Sequence, residues 1–222
     1  MNKAVTNYWR KIRKPLILTG VVIGVGVMSY GAGTFNPNSW IQNRLTKTVE
    51  STMVSEWQAF GFQQPSIEYN NNTEFVTQLI KCIDYINLHK LHQERVHKDI
   101  ITAMAVLETG WGQSRFAKEA NNLFGIRTWD PKVPQLKPLE LPNADFGVKK
   151  YSTKCDSVED MINIINSHPA YEDFRVERHI QTESGKIDLD KQVNLLSKWS
   201  TNPEYTTLLK SKVKNISNIL EN

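Results

Sequence analysis

AVLETGWGQSR, residues 105–115, ends an apolar run with a carboxylate and follows it with two glycines and a tryptophan. The apolar residues before the carboxylate share one face of a helix at i, i+4 and i+7 spacing: Ile100, Met104 and Leu107. Gly110 then favours the end of that helix. Glu108 is therefore predicted half inside the core and half in a cleft. Desolvation there raises a carboxyl pKa, so that the group keeps a proton near neutral pH, as a general acid must.

The chain has 222 residues, which suits one domain of ordinary size plus an extension. Apolar residues make up 40% of it, enough for a real core. The formal net charge of +4 is mild and does not by itself argue for nucleic acid, so no nucleic-acid partner is predicted. A weakly basic surface would suit an anionic polymer, and it is equally consistent with an ordinary soluble protein.

The first 33 residues combine a basic flank with an uncharged apolar stretch. Residues 1–14 contain five basic and no acidic side chains, and residues 15–33 carry no charge. This pattern favours an uncleaved membrane anchor at 15–33, with a cleaved signal peptide as the alternative and a buried core helix as a third interpretation. The basic flank predicts a cytoplasmic N-terminus with the rest of the chain in the bacterial cell envelope, either anchored to the inner membrane or released after signal cleavage.

A polar connector at 34–72, either a stalk or an extra packed element, is predicted to precede one domain at 73–222. The proline-rich segment 126–151 is expected to form a small hairpin or irregular β-lobe. The domain is thus α+β and mostly helical, with a β-lobe beside Glu108. Apolar spacing and capping residues predict its helices at 73–93 with Thr73 as N-cap, 97–109, 113–120, 156–167 (ended by His168-Pro169), 188–198 and 203–220.

Cys82 and Cys155 could pair outside the cytoplasm, but two cysteines do not make a disulfide framework. The loose cluster containing His89 and His92 fits a solvated helix face better than a metal site, because no suitably spaced cysteine or carboxylate accompanies it. No metal and no cofactor are predicted.

The residues after Glu108 could contact a ligand. Gly110 and Gly112 allow positive φ or a close backbone approach. Trp111 could offer a flat platform for a sugar, or it could support the core and help to desolvate the acid. Asn122 could hydrogen-bond either backbone or sugar hydroxyls.

The motifs taken together resemble the glucosaminidase family, glycoside hydrolase family 73, in its Bax-like branch. The resemblance covers about 73–220 in the right order. It rests on these pieces of sequence: LETGWG at 107–112, FA at 116–117, NNLFGI at 121–126, FGVKKY at 146–151, SVED at 157–160, HPAY at 168–171, FR at 174–175 and WSTNPEY at 199–205.

This resemblance implies a lysozyme-like fold and hydrolysis of the β-1,4 bond after N-acetylglucosamine in peptidoglycan. Glu108 matches the family's catalytic acid. Tyr205 matches a tyrosine of the catalytic cleft, whose hydroxyl could orient water or the acetamido group; a packed C-terminal tyrosine is the alternative. The motif residues predicted to bind substrate are Trp111, Asn122, Phe124 and Tyr151.

Glycosidases usually employ a second carboxylate. The β-lobe offers Asp130, Glu140 and Asp145, and Glu140 is the candidate for this catalytic role. If none of them serves, the 2-acetamido group of the substrate could assist instead. Two alternative functions stay open: a lytic transglycosylase or muramidase of similar fold, and a non-catalytic murein-binding or scaffold protein of an envelope complex.

Overall fold

The computed structural model describes residues 63–221, together with residues 19–28, 44–45, 48–49 and 52. The chain divides into two compact units, Met1–Glu56 and Trp57–Asn222. In the first unit, residues 19–28 are helical. None of the helices in the described part of the chain has both the length and the apolar character that a membrane crossing needs. The predicted basic flank, the ends of the apolar stretch and much of the connector lie outside the described residues.

The described part of the second unit is mostly helical and carries one small antiparallel sheet, as predicted. Its α-helices are α1 (Asn72–Leu88), α2 (Lys98–Thr109), α3 (Arg115–Glu119), α4 (Lys154–Ser167), α5 (Glu172–Ser184), α6 (Leu189–Asn194) and α7 (Tyr205–Glu221). The strands are β1 (Arg127–Thr128), β2 (Gln135–Leu136) and β3 (Gly147–Lys149), and single 3-10 turns occur at His92–Glu94, Pro169–Tyr171 and Ser197–Trp199.

Helix α2 is the centre of this unit, because α1 and α7 both pack against it. Ile100 and Met104 of the predicted apolar face are fully buried, and Leu107 is half-buried against the core. Burial extends to residues outside that face, including Ile101 and Thr102. A helix surrounded in this way has little freedom to shift, so the residue at its end is held in place.

The start and end of α1 differ from the prediction. Asn71, not Thr73, caps the helix, since its side-chain oxygen accepts a hydrogen bond from the Glu74 N–H at 2.8 Å. The Glu74 carboxylate in turn accepts from the Asn70 N–H at 2.7 Å. The helix ends at Leu88 rather than at 93, and the 3-10 turn His92–Glu94 follows it.

The β-lobe has three strands in the order β1-β3-β2, all antiparallel, rather than the two of a hairpin. Val148 in the central strand pairs with Arg127 on one side and Leu136 on the other. A side chain at Gly147 would collide with the side chain of Gln135, so glycine is needed where β2 and β3 meet. The lobe is therefore a compact unit despite its prolines.

Helix α5 was missed in the sequence, where helix was expected to stop at His168-Pro169. Its inward face is mainly polar, which hides the apolar periodicity that predicts a helix. The buried residues on that face are Phe174, Glu177, Arg178 and Gln181. The Gln181 side chain donates to Glu177 at 2.7 Å and accepts from the Asp188 N–H at 2.8 Å.

A disulfide joins Cys82 of α1 to Cys155 of α4, with the Cα atoms 5.8 Å apart. Both residues are fully buried. The pairing that the sequence left open is therefore present. It links α1, which precedes the β-lobe in the sequence, to α4, which follows it.

Removing this disulfide is expected to destabilise the domain strongly. The two cysteines are 73 positions apart in the sequence. Closing a loop of that length lowers the conformational entropy of the unfolded chain, which stabilises the folded state by about 4 kcal/mol at 25 °C. A Cys82→Ala, Cys155→Ala double variant should lose about that much free energy of unfolding in urea titrations. Wild type kept in a reducing agent should approach the variant, and equal stability of the oxidised wild type and the variant would contradict the expectation.

Candidate active site

The second unit contains a cleft of about 470 Å³ at the end of α2, within the size range typical of ligand sites. Glu108 and Arg127 are the charged residues that line it. The other lining residues are Phe124, Gly125, Ile126, Trp129, Ile164, Tyr171, Trp199, Ser200 and Thr201.

Glu108 lies in the last turn of α2, and the three residues Gly110, Trp111 and Gly112 that follow are all left-handed, with φ of 57°, 63° and 75°. Positive φ is unusual for a tryptophan, so the surrounding contacts must hold this turn. The Thr109 hydroxyl donates to the Ala105 carbonyl and accepts from the Gly112 N–H. These hydrogen bonds stop the helix directly after the acid.

Tyr69 supports the same turn from outside the helix. Its hydroxyl donates to the Gly112 carbonyl at 2.7 Å, and its ring packs edge-on against Phe75 at 4.8 Å between centroids. A Cβ at Gly112 would overlap the Tyr69 hydroxyl, whereas a Cβ at Gly110 would meet nothing within 4 Å. The second glycine of the motif is thus required by packing as well as by φ.

Glu108 lines the cleft and is exposed to solvent there, more so than the half-buried position that the sequence predicted. Partial desolvation by the neighbouring protein atoms raises the pKa of Glu108, and a smaller effect from the Tyr205 hydroxyl acts in the opposite direction. A raised carboxyl pKa favours the protonated form near neutral pH. The role of Glu108 as a general acid stays a prediction.

Tyr205, the first residue of α7, is 4% exposed and lies beside Glu108. Burial, and next the negative charge of Glu108, raise the pKa of Tyr205, so its hydroxyl stays protonated. The two groups are close enough to shift each other's pKa, but among the described residues the hydroxyl has no aligned hydrogen-bond partner. Tyr205 is not among the residues that line the cleft, and its hydroxyl lies buried behind the cleft wall beside Glu108.

Aromatic rings form much of the cleft wall. Phe124 and Tyr171 lie 6.5 Å and 6.1 Å from Trp199 between ring centroids. On the β-lobe side Trp129 is 65% exposed and lies 5.9 Å from Phe146. Exposed rings of this kind suit the apolar faces of sugars. Tyr171 and Trp199 stood inside the quoted motifs HPAY and WSTNPEY without being assigned a role, and Trp129 carried no motif signal.

Of the residues predicted to bind substrate, Phe124 lines the cleft and three do not. Asn122 is fully buried: its amide donates to the carbonyls of Ile126 and Lys149, and its oxygen accepts from the N–H groups of Phe124 and Ile126. This side chain shapes the loop from within and has no bond left for a sugar.

Tyr151 and Trp111 also lie outside the cleft lining. The Tyr151 hydroxyl donates to Asp160 at 2.6 Å, which fixes the end of β3 to α4, and Lys149 donates to the same carboxylate oxygen at 2.8 Å. Trp111 packs half-buried against the core, which agrees with its alternative role as core support.

Glu140 and Asp145 lie exposed in the loop between β2 and β3, and Asp130 lies exposed in the loop between β1 and β2. None of the three lines the cleft. The structure thus brings no second carboxylate into the cleft lining among residues 63–221. In the described part of the chain, no group of three or more histidine, cysteine or acidic residues is placed to hold a metal ion.

Comparison with known proteins identifies the family of this chain. The family model for glucosaminidase, described as mannosyl-glycoprotein endo-beta-N-acetylglucosaminidase, matches residues 84–218. That match includes Glu108, the β-lobe and Tyr205. The chain belongs to the glucosaminidase family.

Three relatives illustrate the membership. The chain is 28% identical to protein Bax of Escherichia coli over 103 residues, 46% of this chain and 36% of Bax. It is 25% identical to peptidoglycan hydrolase FlgJ of Salmonella typhimurium over 141 residues, 58% of this chain and 42% of FlgJ. It is 31% identical to exo-glucosaminidase LytG of Bacillus subtilis over 105 residues, 42% of this chain and 36% of LytG.

The matched segments span only about two fifths of the length of these relatives. The solved glycoside hydrolase domain of Salmonella typhimurium FlgJ superposes with a TM-score of 0.49 at 19% identity, covering 68% of this chain and 92% of that domain.

The two glycines after Glu108 should respond differently to alanine. Gly110→Ala incurs only the left-handed backbone penalty of about 1–2 kcal/mol. Gly112→Ala must also displace Tyr69, which adds about 1–3 kcal/mol. Thermal and urea unfolding of the two variants would measure this difference, and equal destabilisation would show that Tyr69 does not constrain the turn.

Proposed function

We propose that this protein is a peptidoglycan hydrolase that cleaves the β-1,4 bond after N-acetylglucosamine, with Glu108 as the general acid. The observation that carries the proposal is a carboxyl with a raised pKa at the wall of an aromatic cleft, beside the buried hydroxyl of Tyr205. The family's description as an endo-beta-N-acetylglucosaminidase supports the bond type, and the name of FlgJ supports the polymer. A lysozyme-like arrangement of the domain is part of this proposal.

In this mechanism the protonated Glu108 donates its proton to the glycosidic oxygen as the bond to the anomeric carbon breaks. The leaving sugar departs as an alcohol, and Glu108 becomes a carboxylate that can later accept a proton from the attacking water. Tyr205, held protonated by burial and by the charge of Glu108, donates a hydrogen bond to that carboxylate or to the water. Its hydroxyl thus favours the state that forms after proton transfer.

The second catalytic group, which acts together with the acid Glu108, is the next element of the mechanism. Arg127 is the other charged residue of the cleft lining, and a guanidinium cannot act as base or nucleophile. This favours assistance by the 2-acetamido group of the substrate, whose carbonyl oxygen would attack the anomeric carbon from the opposite face. Glu140 is retained as the alternative, because a loop residue can approach when substrate binds.

We further propose that the catalytic domain works in the bacterial cell envelope, outside the cytoplasm. The Cys82–Cys155 disulfide supports an oxidising compartment. The basic flank 1–14 and the apolar stretch 15–33 support attachment to the inner membrane, with release after signal cleavage as the alternative. Fractionation of cells followed by mass determination of the N-terminus would separate the two cases.

Glu108→Gln should abolish murein clearing in a zymogram, with a rate loss of about 10²–10⁴-fold, because the amide cannot donate the proton. Glu183→Gln, an exposed glutamate of α5 outside the cleft, is the matched control. Mass spectrometry of the products should find N-acetylglucosamine at the new reducing ends. Anhydromuramic ends would indicate a lytic transglycosylase instead, and murein binding by wild type without any product would indicate a scaffold protein.

Glu140→Gln tests the identity of the second group. If the acetamido group assists catalysis, this variant keeps full activity while Glu108→Gln is inactive. Loss of activity in both variants would defeat substrate assistance and assign the second role to Glu140. Circular dichroism of both proteins would show that the fold is kept.

Tyr205→Phe should shift the pH dependence of the reaction. The Tyr205 hydroxyl lowers the pKa of Glu108, so its removal raises that pKa further. Activity that needs the protonated acid falls as pH rises through this pKa, and the alkaline limb of kcat/KM should move to higher pH, along with a lower maximal rate. An unchanged or acid-shifted limb would show that Tyr205 does not act on Glu108.

A further inference from the structure

A second cavity, of about 540 Å³, lies at the junction of α1, α5 and α6 and shares no lining residue with the cleft. Its charged lining residues are three cations, Arg95, Lys98 and Arg178, and one carboxylate, Asp84. His92 and His97 also line it; burial lowers the pKa of His97, so that histidine adds no charge at neutral pH. The cavity therefore carries a net positive charge with one acidic group at its edge.

The inner wall of the cavity contains two polar side chains that are buried and incompletely satisfied. Arg178 is 5% exposed; one of its Nη atoms donates to the Glu94 carbonyl at 3.3 Å, and its Nε has no partner among the described residues. Gln192 is 2% exposed; its amide nitrogen donates to Gln181 at 2.9 Å, while its Oε1 has no partner there.

Asn87 of α1, half-buried on the cavity wall, adds an unpartnered acceptor, its Oδ1. An unsatisfied buried donor or acceptor costs about 1–3 kcal/mol, and a group of them around one cavity is unusual in a native fold. The residues that line the cavity thus include one cationic donor and two acceptors without partners, and a ligand reaches these atoms when the side chains of the wall shift, because the atoms have almost no accessible surface.

The charges around Arg178 do not neutralise it. Glu94 lies near enough to raise the pKa of Arg178, but burial is the larger effect and lowers that pKa to about 10, and Arg175 lowers it as well. Glu177, its neighbour on α5, is engaged with Lys191 at 2.7 Å and with Gln181. Arg178 therefore remains charged at neutral pH without a carboxylate bonded to its Nε.

We infer that this cavity binds the zwitterionic amino-acid end of a peptide. A carboxylate would accept from Arg178 Nε, with Arg95 and Lys98 at the rim adding positive potential. An ammonium group would donate to Gln192 Oε1 and Asn87 Oδ1, with Asp84 as its counter-charge. The stem peptides of peptidoglycan carry such free carboxylates and amines, so they are the source to which we assign the site; this assignment rests on the proposed function.

The test is binding of the stem tripeptide L-alanyl-γ-D-glutamyl-meso-diaminopimelate to the full chain, followed by calorimetry and by NMR shift mapping. Saturable binding with shift changes confined to the cavity residues of 84–98 and 178–192 supports the site. The fully amidated and N-acetylated peptide should bind much more weakly, because it lacks both charges. No binding, or equal binding of inorganic phosphate and of the capped peptide, overturns the inference and leaves a cavity filled with water only.

Variants locate the ligand within the cavity. Arg178→Lys keeps the charge but removes the Nε donor and should weaken binding by about 30-fold or more. Lys98→Gln, an exposed rim variant that does not endanger the fold, should weaken binding by about two- to fivefold. Lys118→Gln, an exposed lysine of α3, is the matched control and should bind as wild type. Unchanged binding in both cavity variants overturns the assignment. If Arg178→Lys does not fold, unchanged binding by Lys98→Gln alone overturns it.

This result is separable from that of the catalytic test. Glu108→Gln should bind the tripeptide as wild type does, because Glu108 does not line this cavity. If wild type binds the peptide but does not cleave murein, the peptide site is supported and the proposed hydrolase activity is contradicted. If it cleaves murein but does not bind the peptide, the activity is supported and the peptide site is contradicted.

Discussion

The packing of α7 against α2 is the contact on which the site depends. Helix α2 is buried on nearly every side and ends at the acid, and α7 begins at Tyr205, so the contact between the two helices brings Tyr205 beside Glu108. The helix that packs against α2 thus supplies the hydroxyl that lies beside the acid. A change in this packing would move Tyr205 relative to Glu108 and so change the pKa of Glu108.

The loop that forms the other wall of the cleft is built from within. The Asn122 side chain makes the hydrogen bonds that a helix or strand would otherwise make in this loop. It accepts from two backbone N–H groups and donates to two backbone carbonyls of the segment 122–149. With the loop fixed in this way, Phe124 and Ile126 present their side of the chain to the cleft. Asn121, which also has positive φ, donates to the carbonyls of Tyr151 and Ser152 and ties the same loop to the end of the lobe.

The sequence predicted what local patterns encode. The apolar spacing before Glu108, the glycines after it and the short motifs further along identified the fold class, the family and the residue at the cleft. The sequence could not separate a motif residue that lines the cleft from one that shapes the loop, because Asn122 and Phe124 stand two positions apart in the same motif and are both buried, yet only Phe124 lines the cleft. Helix α5 could not be predicted because its buried face is largely polar, with Glu177, Arg178 and Gln181. Arg127 and Trp129 could not be predicted as cleft residues because only the folded position of β1 brings them to the cleft.

The position of the disulfide in the chain means that one wall of the cleft is covalently constrained and the other is not. Glu108, the Asn122 loop and the whole β-lobe lie between Cys82 and Cys155, inside one covalent ring. Tyr171, Trp199 and Tyr205 come from the chain beyond the ring and are held by packing and hydrogen bonds, without a covalent link. Local unfolding of the chain beyond Cys155 can therefore displace the Tyr205 hydroxyl and the rings of Tyr171 and Trp199, while the disulfide keeps the acid and the lobe connected. The cleft thus lies between a segment closed by the disulfide, residues 82–155, and the chain beyond Cys155. The wall formed by the chain beyond Cys155 is therefore the one that can move away and open the cleft.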